Sequence, residues 1–203
     1  NTMKAVIFKG QILTRTKVKN NILKMFNKTS KAQRFDWYLD AFKFAEELSK
    51  KNNVPLSVAS GVIAALSPVK QWEQNKICAQ SMLETGEGKH MKQFTDKAKL
   101  IINSDGTEKE VLRILNGRKI SAFFQNILYP NLNQNLTIDR HALSIALGVW
   151  VHDTTYSGLT ATQYNFFVQC YTLAAEQANV SGLIMQSSTW LKFREIKSEY
   201  KRL

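Results

Sequence analysis

The amino-acid sequence predicts an all-α fold. Apolar residues recur at helical spacing through most of the chain, and 9 Gly and 3 Pro among 203 residues are too few for the turns of a β-sandwich. Only residues 3–8, MKAVIF, have the look of a strand. About nine or ten helices are expected. Ser30 and Gln33 are spaced as a capping box ahead of the stripe Phe35, Tyr38, Leu39, Phe42 and Ala45. Val58, Gly61, Val62, Ala65 and Leu66 repeat the stripe, and Pro68, which has no N–H to donate, ends it. Thr107 and Glu110 form a second capping-box pattern before Val111, Ile114 and Leu115. Asn116-Gly117 is a turn signal, after which Ile120, Phe123, Phe124, Ile127 and Leu128 define one more helix. Tyr164, Phe167, Val168, Tyr171, Ala174 and Ala175 define another, and no repeat or low-complexity linker interrupts the series.

Composition narrows the functional classes. With 44% hydrophobic and 22% charged residues the chain is globular and large enough to bury a core, or two closely packed helical lobes. No apolar run reaches the roughly 18 residues that span a bilayer, and no signal-peptide hydrophobic region is visible, so a soluble cytoplasmic protein with no membrane partner is expected. Asn1 and Thr2 are set aside as preceding an initiator Met3. Cys78 and Cys170 make no CxxC pair, which excludes a disulfide framework and a four-cysteine zinc or iron-sulfur site. His90, His141 and His152 stand in unrelated contexts, so neither metal nor cofactor is expected.

The formal net charge is +12, and its distribution is uneven. Residues 1–51 carry 12 basic and 4 acidic side chains, residues 52–191 carry 11 and 10, and the last twelve add 5 and 2. Lys4, Lys9, Arg15, Lys17, Lys19, Lys24, Lys28, Lys31 and Arg34 all precede the first acid, Asp36. Such an arm either is a solvated face or attracts a polyanion, with nucleic acid the natural partner.

Three stretches carry chemistry together. Residues 61–76, GVIAALSPVKQWEQNK, are an apolar helix that breaks at Ser67-Pro68 and resumes in a polar segment. Residues 115–127, LNGRKISAFFQNI, are a tight hairpin whose second helix opens with Lys119. Residues 136–148, LTIDRHALSIALG, place Asp139 at an N-cap position ahead of an apolar helix. Singly, each has a plain structural explanation; their order and spacing have a sharper one.

In that order and spacing, residues 54–148 resemble the helix-hairpin-helix (HhH-GPD) DNA glycosylase superfamily, the group of endonuclease III and 8-oxoguanine glycosylase. Leu66, Ser67, Asn75 and Lys76 match its Leu-Ser step and the Asn-Lys of its polar segment; Gly117, Lys119 and Ala122 match its glycine hairpin and lysine; Ile138, Asp139 and His141 match its valine-Asp-x-His context. The hairpin here, Leu115-Asn116-Gly117-Arg118-Lys119, has one glycine and no proline, so it offers fewer backbone N–H groups to a phosphate, and the iron-sulfur cysteines are absent. The segment after Ser67 is one residue shorter, leaving Lys70 and Gln71 as alternatives for filling the gap of a flipped base.

The resemblance implies a two-lobed helical fold with an inter-lobe cleft. Residues 1–53 would pack with a C-terminal lobe, residues 137–203, and residues 54–136 would form the central lobe. It also implies a monomer acting on duplex DNA with one base flipped out. Asp139 would stabilise positive charge growing on the sugar as the glycosidic bond breaks, and Lys119 would attack the sugar C1′ to form a Schiff base, a role that a fully exposed lysine could not fill. Lys70, Gln71, Asn75, Gly117, Arg118, Arg140, His141 and Trp190 would contact DNA or line the pocket, while Tyr164 and Tyr171 read chiefly as core at helical spacing. Three activities stay open: a glycosylase with AP lyase activity, a phage-type pyrimidine-modifying enzyme like the putrescinyl-thymine pyrophosphorylase group, and a catalytically silent DNA-binding module.

Overall fold

The computed structural model describes residues 2–132, 135–152 and 159–202, which form ten α-helices and one two-stranded hairpin. The elements are β1 (Ala5–Phe8), β2 (Gln11–Thr14), α1 (Arg15–Asn27), α2 (Trp37–Asn52), α3 (Leu56–Ala65), α4 (Trp72–Thr85), α5 (Lys92–Ile102), α6 (Glu108–Leu115), α7 (Arg118–Leu128), α8 (Arg140–Leu147), α9 (Ala161–Ala178) and α10 (Gly182–Ile196). Short 3-10 turns lie at Lys31–Gln33 and Lys197–Glu199. The chain divides into two compact units, one of Asn1–Trp37 with Asn133–Leu203, the other of Tyr38–Leu132. The basic N-terminal arm and the basic tail at residues 197–202 therefore belong to one unit. The segment from Tyr38 to the end of α2 goes with the central residues, where Tyr38 meets Phe123 of α7 and Phe44 meets Trp72 of α4, with ring centroids 6.2 and 5.9 Å apart.

The central unit is built around α3. Val58, Ala59, Val62, Ile63, Ala64 and Ala65 are all at most 2% exposed, as expected of a helix that is apolar on every side. It packs against α4, α5, α6 and α7. Gly61 sets how closely they approach, since a Cβ there would stand 2.6 Å from Val111 Cγ1 on α6 and 3.2 Å from Ile101 Cγ2 on α5. In the first unit, α1 contributes Val18, Ile22, Met25 and Phe26 to a core shared with Leu143 and Ile145 of α8, Phe166, Phe167 and Tyr171 of α9, and Met185 and Phe193 of α10.

Three details depart from the sequence expectation. QILT pairs antiparallel with AVIF through a Lys9-Gly10 turn in which both residues have positive φ, 50° and 75°, the signature of a tight hairpin. Four residues leading straight into a helix leave too little alternation to recognise as a strand. The Ser30/Gln33 pair, in turn, serves the 3-10 turn, where the Ser30 N–H donates to Gln33 Oε1 at 2.9 Å, and α2 starts only at Trp37. Phe35 lies before that helix and is 41% exposed, and the buried stripe is Tyr38, Ala41, Ala45 and Leu48. Of the second capping box, Thr107 Oγ1 accepts from the Glu110 N–H at 3.3 Å, whereas the Glu110 carboxylate pairs with Arg113.

Candidate functional site

The sequence-derived residues fall into three clusters, one in the first unit and two in the central unit. In the first unit, Asp139 caps α8 and Arg140 is the first residue of that helix. Asp139 Oδ1 accepts from the Ala142 N–H at 2.8 Å, as an N-cap should. Its second oxygen is also held: Trp190 Nε1 of α10 donates to Oδ2 at 3.0 Å, and His141 Nδ1 lies 3.4 Å from the same oxygen. The carboxylate keeps 23% of its side-chain surface open and His141 keeps 17%, so both are sheltered yet reachable. The Trp190 indole meets Trp37, His141 and the Arg194 guanidinium, at 6.3, 6.0 and 4.9 Å.

The backbone leading into Asp139 is clamped from α9. Tyr164 Oη donates to the Leu136 carbonyl at 2.8 Å and accepts from the Ile138 N–H at 3.0 Å. Both groups are buried, so this phenol satisfies a segment with no helix or sheet of its own to do so. Tyr171 Oη donates to the Ala142 carbonyl at 2.7 Å, and burial first, then the charge of Asp139, holds its phenol well above the ordinary range. Both tyrosines are core residues, and their hydroxyls also fix the backbone on either side of Asp139.

The second cluster is the α6–α7 turn. Asn116 takes the left-handed conformation, φ 54°, and its N–H closes α6 on the Leu112 carbonyl at 3.0 Å. Lys97 Nζ of α5 donates to the Leu115 carbonyl at 2.8 Å, which satisfies one of the carbonyls left over at the end of α6. Gly117 is the N-cap of α7, Arg118 is exposed, and Lys119 stands half-buried in the first turn. Lys119 is therefore not the fully exposed lysine that would exclude a nucleophilic role.

The third cluster joins α3 to α4. Asn75 is 2% exposed, and its Nδ2 donates to the Ile63 carbonyl at 2.9 Å, so it braces the end of α3 from within. Lys70 is half-buried and Gln71 is the exposed N-cap of α4. Sequence reasoning passed over Val69, the residue just before them. Val69 has φ 52°, a strained conformation for a β-branched residue, and at 81% exposure it is the most exposed large apolar side chain among the described residues. The loop beneath it is fixed by His90, whose Nδ1 accepts from the Met91 N–H at 2.8 Å and whose Nε2 therefore donates to the Pro68 carbonyl at 2.7 Å. The one available signal was a lone apolar residue in a polar stretch.

Among the described residues, no group of three or more His, Cys, Asp or Glu side chains could hold a metal ion, and no helix is long and apolar enough to cross a membrane. The chain belongs to the family described as a family of unknown function (DUF7178), whose model matches residues 4–197. No curated protein and no solved structure matches it.

Proposed function

We propose that this protein is a DNA glycosylase with AP lyase activity, on a two-lobed fold of the HhH-GPD kind, which flips a damaged or modified base out of duplex DNA and excises it as a monomer. The observation that carries the reading is the setting of Asp139: a carboxylate fixed on both oxygens at a helix start, partly open, within a motif that resembles the glycosylase one. Breaking an N-glycosidic bond leaves positive charge on the sugar, and an anion already oriented toward it need not reorganise as that charge develops. His141 and Trp190 hold the carboxylate in place. Lys119 supplies the amine that displaces the base and forms the imine, and Gly117 and Arg118 meet the backbone beside it. Val69 is the wedge that fills the vacated stack, in place of Lys70 or Gln71, because an apolar side chain on a braced loop can unstack bases without moving its own backbone.

A second activity is favoured by one observation. The α6–α7 turn has one glycine and no proline, and its Asn116 N–H is taken by the Leu112 carbonyl, so it offers a phosphate fewer N–H groups than the glycosylase hairpin; this suits a pyrimidine-modifying enzyme that displaces pyrophosphate and leaves the base in DNA.

Mass analysis of genomic and phage DNA treated with the protein separates these readings. The glycosylase reading expects free base; an altered base retained in DNA supports the modifying enzyme; unchanged DNA leaves a binding module. Asp139→Asn, which keeps the cap and removes the charge, should lower single-turnover base release at least about 100-fold with DNA affinity preserved. Lys119→Gln should abolish borohydride trapping of the covalent complex; trapping that persists would remove Lys119 from its role.

A further inference from the structure

The β1–β2 hairpin turns an apolar pair outward. Ile7 and Ile12 are cross-strand partners, and they are 67% and 73% exposed, whereas Phe8 on the opposite face is 8% exposed and packs edge-on against Phe167 of α9 at 6.0 Å. The ribbon is anchored at both ends. Gln163 Nε2 of α9 donates to the Ile7 carbonyl at 3.0 Å, the Met3 N–H donates to Gln169 Oε1 at 2.8 Å, and the Arg15 N–H donates to the Lys4 carbonyl at 2.8 Å. A rigid two-stranded ribbon thus carries two large β-branched side chains into solvent.

Charge indicates what covers them. Lys4 and Lys9 are exposed on the ribbon, and Lys17, Lys24, Lys28, Lys31 and Arg34 are exposed beyond it. The ribbon and α1 contain no acid, and α9, which packs on both, has one, Glu176, which lines an open cavity of about 500 Å³ with Arg15 and Lys19. An apolar ridge flanked by cations matches a polyanion that also offers apolar edges. The major groove of duplex DNA admits a two-stranded ribbon and presents thymine methyl groups between two rows of phosphates.

We infer that the β1–β2 hairpin enters the major groove of duplex DNA, with Ile7 and Ile12 against the base edges and Lys4 and Lys9 at the flanking phosphates. The inference rests on the DNA-directed reading above and adds to it a contact outside the three clusters. It requires binding, not base release, so the two can fail separately.

The test is fluorescence anisotropy of a labelled duplex with the full chain, comparing wild type with Ile7→Ser/Ile12→Ser and Lys4→Ala/Lys9→Ala, with competition by methyl green, a major-groove ligand, and netropsin, a minor-groove ligand. The serine pair should weaken binding about tenfold, the size of a good groove contact. The alanine pair should reduce the log-log salt slope by roughly 2, and methyl green but not netropsin should displace the protein. Far-UV circular dichroism checks that the variants keep their helices. Wild-type affinity in the serine pair, displacement by netropsin alone, or a dimer lost in the serine pair with DNA affinity unchanged would each overturn the inference while leaving the enzyme reading in place. Binding that depends on Ile7 and Ile12 in a protein that neither releases nor alters a base would support the hairpin and end the enzyme reading. A wild type that binds no duplex overturns both.

Discussion

Asp139 and Lys119 both stand in the first turn or at the cap of a helix, in different units, and they are held there by different means. Asp139 depends on remote parts of the chain: Trp190 reaches it from α10, and Tyr164 of α9 fixes Leu136 and Ile138 ahead of it. The turn that leads into Lys119 is shaped by a left-handed Asn116 and a glycine N-cap, with the Lys97 ammonium of α5 on the Leu115 carbonyl. The difference separates orientation from placement. In the proposed reaction the carboxylate has to face one developing charge, and several directional bonds orient it, whereas the lysine is placed by the turn that carries it.

Substitutions can break or sharpen this contrast. The largest effect on stability is expected from Tyr164→Phe, which leaves the Leu136 carbonyl and the Ile138 N–H buried without their partner and should cost about 2–4 kcal/mol in urea unfolding. If activity falls in step with Asp139→Asn at a temperature where the variant remains folded, the clamp serves the site as well as the fold. Unchanged stability would show that the segment finds other partners. Gly61→Ala is the matching change in the central unit, and overpacking against Val111 should cost about 1–3 kcal/mol, relieved in part by Val111→Ala.

The smallest effect is on alkaline stability. Burial pushes the Cys170 thiol up from 9.0 to about 12, so the folded state holds that proton more tightly than the unfolded chain. Its contribution is fully present below pH 9 and is lost as pH rises toward 12. Tyr171, raised in the same direction, adds to the loss. Cys170→Ala should flatten the fall in thermal midpoint above pH 9, and at neutral pH the native thiol should resist alkylation.

Helical periodicity made most of the fold legible, because stripes such as Val58-Val62-Ala65 record burial directly. The cap at Asp139 was legible for the same local reason: an aspartate ahead of an apolar run has a standard place to put its oxygen. What escaped was long-range or geometric. Nothing near Asp139 announces a bond from Trp190, 51 positions away, or a tyrosine clamp 26 positions downstream. Nor does composition reveal that Val69 takes a positive φ; the His90 bond that fixes its loop spans 22 positions. Ser30 and Gln33 fit the capping pattern but serve a 3-10 turn, since the box specifies only a first turn and not whether a helix continues from it.

The division into units also bears on how the chain comes to be folded. Residues 38–132 are continuous, so the central unit can close using contacts among neighbours in sequence. The first unit is interrupted: α1 must wait for α8, α9 and α10, which are synthesised only after the whole of the central unit. Bringing those ends together costs loop-closure entropy, which grows with the length of the intervening chain and falls once that chain has compacted. Folding of the central unit therefore shortens the search for the other. In the interval α1 remains on the nascent chain without its partners, its apolar face of Val18, Ile22, Met25 and Phe26 uncovered, and the dense positive charge of the same segment keeps such chains apart until the last helix arrives.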